Sequence, residues 1–378
     1  MVLGLSSKHM ELVERVNAVA HDGIADRASQ YDRDAAFPVQ DIEDLRQAGF
    51  LLCTLPEKDG GLGFGVNGSD PLSFFLIVER LAAISPATAH CFQVHCNAMQ
   101  ILREYGSDEQ VKRFIQPTIE KGHLFVGAGS EPGGGRHSST ATPVDGGLKV
   151  TGVKHYATNA THSTWMTVHV RNEISELMET LVVNTNSPGL TIDASVWDPT
   201  GMRACVSPLL TFKDVIVPED CIMADSEGFF KNLWLGKINF GFTANYLGGV
   251  QGLYEFTRDY LRDRGQKDNE VYQTALGTMK ARLDAARLLF YNAASILPVD
   301  CEKALIASNQ AKWLAVETAN QFITEIGQLI GSSGFFRKYP VERLVRDLQV
   351  HTLHRRHHVG AGIVGQAELG LPYDLNKS

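Results

Sequence analysis

From about His9 to Gln116 apolar residues recur every three or four positions, as at Leu12, Val16, Val19 and Ala20 and again at Ile42, Leu45 and Leu51. That spacing puts them on one face of successive helices and predicts a helical first part. Phe37-Pro38 is placed to start one helix, and Pro56 with the run Asp59-Gly60-Gly61-Leu62-Gly63-Phe64-Gly65 reads as a loop between two others. Pro71 opens an apolar helix that Ser85-Pro86 ends, and a second buried helix follows, carrying His90 and His95. Between about Phe125 and Glu227 the period shortens to alternation, predicting strands over Leu148 to Tyr156, Trp165 to Val170, Thr180 to Val183, Leu190 to Val196 and Leu209 to Val217. Gly and Pro punctuate this part, so a small antiparallel barrel or sandwich is expected rather than a parallel sheet. After Gly228 the helical period returns: Met279, Leu283, Ala286, Phe290, Ala293 and Leu297 form one seam, and Ala311, Ala315, Ala319, Phe322, Ile326 and Leu329 another. With a helix through Gly248 to Arg262 they predict an antiparallel bundle with wide apolar faces, suited to joining copies of the chain. The expected architecture is α+β: a helical domain over 1–124, a β domain over 125–228 and a helical bundle over 229–378.

Composition narrows the function classes. The 378 residues carry 44% hydrophobic side chains, ordinary for a globular protein with a large core. A net charge of −8 and a pI near 5.9 leave no basic footprint, so nucleic acid and anionic membrane are not expected partners. Cys53, Cys91, Cys96, Cys205, Cys221 and Cys301 are scattered without C-x-x-C spacing, which fits reduced thiols in a cytoplasm. Charges come too early for a signal peptide, and no run approaches 18 uncharged apolar residues.

Two stretches carry candidate chemistry. The first, Val126 to Ala160, joins a glycine-rich loop around Ser130 and Glu131 to an alternating strand that ends on Tyr156 and Thr158. A bare backbone leading into an aromatic and a hydroxyl suits a flat ring with a polar edge, but an empty Gly-rich hairpin satisfies the same spacing. A dinucleotide fingerprint fails, since Pro132 stands where its third Gly should open a helix. In the second stretch Gly331-Ser332-Ser333-Gly334 lies near Arg337, Lys338, Arg343 and Arg346, which fits either phosphate approach or a solvated basic loop. His351, His354, His357 and His358 then follow within eight residues. Only Asp347 among them is a carboxylate, and Arg355-Arg356 would repel a cation, so a metal site is disfavoured. Acid, base or hydrogen-bonding roles for these histidines fit better, and His95 is a further candidate.

These motifs resemble the acyl-CoA dehydrogenase family of flavoproteins across nearly the whole chain. Ser130-Glu131-Pro132-Gly133-Gly134-Gly135 is similar to the family's Thr-Glu-Pro-Gly-x-Gly, and Lys154-His155-Tyr156-Ala157-Thr158-Asn159 to its Lys-x-Trp-Ile-Thr-Asn. Gly201-Met202-Arg203-Ala204, Gln328 to Gly334 and the stretch Tyr339 to Asp347 resemble later family motifs. The resemblance implies FAD, with FMN as the alternative. Gly127, Gly129, Ser130, Tyr156, Ala157 and Thr158 would meet the flavin, and Gln328, Gly331, Ser332 and Arg264 its far end from a neighbouring subunit. A homodimer or homotetramer is implied.

The departures bear on the reaction. Family dehydrogenases remove a proton with a glutamate at one of two positions; here alignment puts Arg355 at one and Ile238 at the other. Instead, His351-Thr352-Leu353-His354 resembles the His-Thr-x-His of the flavin-dependent monooxygenases of this fold, the dibenzothiophene monooxygenase group. The resemblance therefore implies an oxygenase using reduced flavin and O2 on a small organic or CoA-linked substrate, with His354, His351 and His95 as catalytic residues. His95, Arg136 and Arg355 would contact substrate, and a flavin reductase or electron-transfer partner would supply electrons. The rival expectations are a thioester dehydrogenase or oxidase with a histidine base, and a non-catalytic homologue.

Overall fold

Prolines and short polar caps set the boundaries of the helices that carry the site. The computed structural model describes residues 4–134, 138–354 and 356–377. Its first part runs through α1 (Ser7–Val19), α2 (Ala25–Asp34), α3 (Val39–Gln47), α4 (Pro71–Ile84), α5 (Pro86–Tyr105), α6 (Asp108–Phe114) and α7 (Gln116–Lys121). Pro71 and Pro86 each occupy a first helical turn, where the missing N–H would have had no intrahelical partner. Asp70 caps α4, and the Ser85 hydroxyl accepts the Thr88 N–H at 3.2 Å to cap α5. Both helices are buried on nearly every face, α4 with mainly apolar side chains and α5 with polar ones such as His90, Gln93, His95 and Gln100 among its apolar residues.

The middle part contains β1 (Leu124–Ala128), β2 (Thr140–Val144), β3 (Gly147–Lys154), β4 (Ser163–Asn172), β5 (Met178–Asn184), β6 (Leu190–Asp193) and β7 (Leu209–Pro218). The sheet runs β1-β4-β2-β3-β7-β6, with β5 paired to β4. Most pairings are antiparallel as expected, but β1 and a short piece of β2 run parallel to β4. The cause is topological: after β1 the chain makes the β2–β3 hairpin and crosses back before β4 begins. β1 and β2 are not evident from the sequence: each is five residues long, β1 is a short apolar run buried at four of its five positions with no alternation to mark it, and β2 contains Pro143 and two Thr. Gly152 sits at a register shift between β3 and β7 with φ of 146°; a Cβ there would lie 2.5 Å from the Ser139 Cα.

The last part holds α8 (Gly228–Lys231), α9 (Trp234–Asp263), α10 (Glu270–Ile296), α11 (Cys301–Ile330), α12 (Val341–His351) and α13 (His357–Glu368). The predicted bundle is present, and α4 is built into it, because α9 packs against α4 as well as α10, α11 and α12. Gly248 and Gly252 make the α4 contact possible: a Cβ at either would stand 2.2 or 2.1 Å from a backbone oxygen of Glu79 or Ala83. A buried polar knot locks the same crossing, with Arg287 Nε on Glu79 at 2.7 Å, Tyr291 Oη on Glu79 at 2.9 Å and Arg287 Nη2 on Gln251 at 2.8 Å. Among the described residues no helix is long and apolar enough to cross a membrane.

Candidate active site

A cleft opens where α5, the ends of β1 and β3, α9 and the turn after α12 converge, with about 920 Å³ of space not filled by atoms, part of it open to solvent. Its β-sheet side is the first stretch singled out in the sequence. Gly127, Gly129 and Ser130 leave β1 with almost no side-chain bulk, and Tyr156 and Thr158 follow β3 along the same wall. Tyr156 has φ of 54° and Asn159 φ of 77°, uncommon for non-glycine residues and here held by specific partners. Asn159 Nδ2 donates to the carbonyls of Cys91 at 2.9 Å and Phe125 at 3.4 Å, which ties the end of β3 to α5 and β1. Ala157 is buried beside the cleft and donates its N–H to Pro208 at 3.2 Å.

The Gly-rich loop is held from beneath by a charge pair. Lys154 Nζ lies 2.7 Å from Glu131 Oε1, both side chains fully buried, and Glu131 also accepts the N–H groups of Ser138 at 2.8 Å and Ser139 at 3.0 Å. Burial alone would raise the Glu131 pKa, but Lys154 and Ser138 outweigh it and hold the carboxyl near 2. The Glu and Lys of the two motifs therefore act on each other and not on a ligand.

The opposing wall is built from imidazoles. His90 on α5 and His354 after α12 line the cleft, and His351 stands behind them, fully desolvated, with its ring 4.9 Å from His90 and 6.4 Å from His354. Thr352 Oγ1 donates back to the Leu348 carbonyl at 2.8 Å as α12 ends, and the His354 N–H donates to the His351 carbonyl at 3.0 Å, so the two histidines three apart turn toward one side. Phe242 of α9 stacks on His354 at 4.8 Å, and Tyr156 meets it edge-on at 5.6 Å. The Thr158 hydroxyl lies 3.4 Å from His90 Nε2 and 2.6 Å from Ser207 Oγ. Burial lowers the His90 pKa to about 4; burial, and then His90 and His354, push His351 well below the ordinary imidazole range. Both rings are neutral near pH 7, and His90 Nδ1 and His351 Nε2 are buried without a hydrogen-bond partner among the described residues. No Asp or Glu is among the described residues lining the cleft.

Other expected site residues fall elsewhere. His95 does not reach the cleft: its Nδ1 accepts the Phe125 N–H at 3.0 Å and its Nε2 meets the Leu51 carbonyl at 3.2 Å, with no exposure. Five helical residues separate it from His90, about 140° around the axis, so only one of the two can face the cleft. The catalytic and substrate roles expected of His95 are thus corrected, and His90 stands in the position they required. A signal for it was present, since His90, Gln93 and Asn97 are polar at helical spacing on an otherwise buried helix. Arg264, Gln328, Gly331 and Ser332 do not line the cleft either. Arg264 lies over the Tyr260 ring at 4.5 Å, and Tyr260 Oη meets Ser333 Oγ at 3.0 Å, so Arg264 and the Gly331 loop share one separate patch at the end of the bundle. Arg136 and Arg355 lie outside the described residues.

Acid should weaken this arrangement in two stages. The native state holds His90 and His95 near pKa 4, against an ordinary 6.5, so the unfolded chain binds more protons between those values. Their contribution is complete above pH 6.5 and falls toward pH 4, on the order of 3 kcal/mol for each histidine. Glu131 adds a second loss as pH drops from 4.5 toward 2, where its native carboxylate finally takes a proton. Urea midpoints measured at pH 7.5, 6 and 5 should decline in that order; a flat profile would contradict the burial of these rings.

Comparison with known proteins agrees with the three-part order. The sequence matches "Acyl-CoA dehydrogenase, N-terminal domain" over residues 6–121, "middle domain" over 127–215 and "C-terminal domain" over 239–354. It is 27% identical over 365 residues to cyclohex-1-ene-1-carbonyl-CoA dehydrogenase of Syntrophus aciditrophicus, covering 93% of this chain and 87% of that one. It is 28% identical over 346 residues to 3-(aryl)acrylate reductase of Clostridium sporogenes, covering 86% and 89%. Among solved structures, butyryl-CoA dehydrogenase from Megasphaera elsdenii superposes with a TM-score of 0.87 at 23% identity, over 98% of this chain and 100% of that one. The dibenzothiophene monooxygenase from Paenibacillus sp. A11-2, also solved with FMN and indole, superposes with a TM-score of 0.86 at 19% identity, over 97% and 99%. At these identities the structures establish a shared fold.

Proposed function

The chain belongs to the acyl-CoA dehydrogenase family of oxidoreductases, and from that premise we propose that it is a flavin-dependent oxygenase acting with O2 on a small organic or CoA-linked substrate. The observation that carries this reading is the cleft wall: His90 and His354, backed by His351, with no carboxylate among the described lining residues. Abstracting a weakly acidic C–H proton needs a base of substantial proton affinity within reach. A desolvated imidazole with a pKa near 4, as at His90, is a poor base for that step but a good neutral donor and acceptor of hydrogen bonds.

The residues present fit a flavin. Bare backbone at Gly127 and Gly129 admits a flat ring closely, Ser130 and Thr158 offer hydroxyls at its edge, and Tyr156 supplies an aromatic wall. Bound there, a flavin would supply the electron transfer and the reaction with O2. Arg264, Gln328, Gly331 and Ser332, grouped away from the cleft, would hold the far end of FAD bound to a second copy of the chain, in a homodimer or homotetramer. The Thr158 hydroxyl can accept from Ser207 or His90 and present its proton to the cleft, or donate to one of them and present a lone pair. His354, exposed at the cleft mouth, is placed to exchange protons with substrate and solvent. Phe242 and Tyr156 fix its ring, and His351 sets the polarity behind it. A separate reductase or an electron-transferring flavoprotein would deliver the electrons.

A second reading, dehydrogenation or oxidation of an acyl thioester with a histidine base, is favoured by the activities in the names of the sequence relatives. One experiment separates them. The flavin-loaded protein is given reduced flavin, ¹⁸O₂ and candidate substrates, and in parallel an acyl-CoA without oxygen. ¹⁸O in the product supports oxygenation. Anaerobic bleaching by the thioester with no label incorporated would replace the proposal with the second reading, and a protein that takes up no flavin would leave only a non-catalytic homologue.

A further inference from the structure

The polar side chains buried along α5 are mostly hydrogen-bonded within the protein. Gln100 Oε1 accepts the Val66 N–H at 2.7 Å while its Nε2 donates to the Cys96 carbonyl at 3.2 Å, and both ring nitrogens of His95 are engaged. Gln93 differs. It has no exposure, neither its carbonyl oxygen nor its amide nitrogen has a partner among the described residues, and it lines the cleft. Helix α9 makes room for it at Gly241, where a Cβ would lie 2.5 Å from both the Gln93 amide carbon and nitrogen. An amide left dry at both ends weakens the fold relative to an apolar side chain of the same size. Its neighbours extend the feature: Asn97 lines the cleft one turn on, and His90, with its unpartnered Nδ1, lines it one turn before. The result is a polar track about 10 Å long at the helical rise, facing Leu235, Ile238 and Phe242 on α9.

Resting on the reading of this cleft as the substrate site, we propose that Gln93 is a specificity-determining residue. It recognises a flat, apolar-bodied molecule that carries a hydrogen-bond donor and an acceptor side by side, as on the edge of a lactam. The complementarity is chemical: with the side chain turned from Gly241 into the cleft, Gln93 Nε2–H donates to the ligand carbonyl and Gln93 Oε1 accepts the ligand N–H, two parallel bonds that complete both halves of the amide. A hydrocarbon of equal shape fills the same space and leaves both ends of Gln93 unpaired, which is the situation in which polar sites discriminate most strongly.

The test is equilibrium binding of quinolin-2(1H)-one and of naphthalene, two flat two-ring molecules that differ at this edge, to the purified flavin-loaded protein and to Gln93→Met. The lactam should bind the unaltered protein at least about tenfold more tightly than naphthalene. In Gln93→Met that ratio should collapse, while the melting temperature of the ligand-free protein rises by about 2 °C because an unpaired amide has been removed. Equal affinity of the unaltered protein for the two probes overturns the proposal whether or not the variant folds. So does a variant that melts lower and keeps the ratio, since that is the behaviour of a structural glutamine. Binding is read without turnover, so the two readings fail separately. A lactam preference in a protein that incorporates no oxygen removes only the oxygenase, and oxygenation without the preference removes only the role of Gln93.

Discussion

His354→Ala is expected to lower turnover with reduced flavin and O2 by about 10²- to 10⁴-fold, the usual contribution of a positioned proton-transfer group. Folding and flavin retention should be nearly unchanged, because His354 is exposed and the glycine-rich wall opposite is held by other residues. The contrast is His95→Ala. That ring is buried and hydrogen-bonded at both nitrogens, so its loss should destabilise the protein by about 2–4 kcal/mol while the folded fraction keeps its turnover. Oxygen consumption and product formation, normalised to bound flavin and set beside urea midpoints, distinguish the two outcomes. Unchanged turnover in His354→Ala would remove that residue from the mechanism.

The largest effect on stability is expected from Lys154→Met. The replacement leaves Glu131 charged, buried and without its counter-ion, a situation that costs about 3–5 kcal/mol. The consequence reaches function, since Glu131 also holds the N–H groups of Ser138 and Ser139 and thereby the loop that begins at Gly129 and Ser130. Flavin affinity should fall together with the denaturation midpoint. A double replacement, Glu131→Gln with Lys154→Met, removes the stranded charge and should recover part of the stability but not the ordered loop. Urea titration with flavin fluorescence measures both; a single variant as stable as the parent would show that the pair contributes little.

What the chain's letters determine by themselves is local and periodic. Apolar spacing of three and four marks α4, α5, α10 and α11, alternation marks β3, β4, β5 and β7, and Pro71 and Ser85-Pro86 place breaks, because each of these effects acts within one or two turns of backbone. The glycine-rich loop, the strand that leads to Tyr156 and Thr158, and His351 and His354 were legible for the same reason. Short β1 and β2, and the parallel pairing of β1 with β4, were not, because strand partnership depends on distant segments. The choice between His90 and His95 was likewise decided by tertiary contacts. Leu51 and Phe125 claim one imidazole, 44 and 30 residues away in sequence, and the sheet and α12 enclose the other. The amide of Gln93 is of the same kind: residue type and helical spacing put it on the cleft face, and only the tertiary packing, with α9 closing on it at Gly241, shows it to have no hydrogen bond among the described residues.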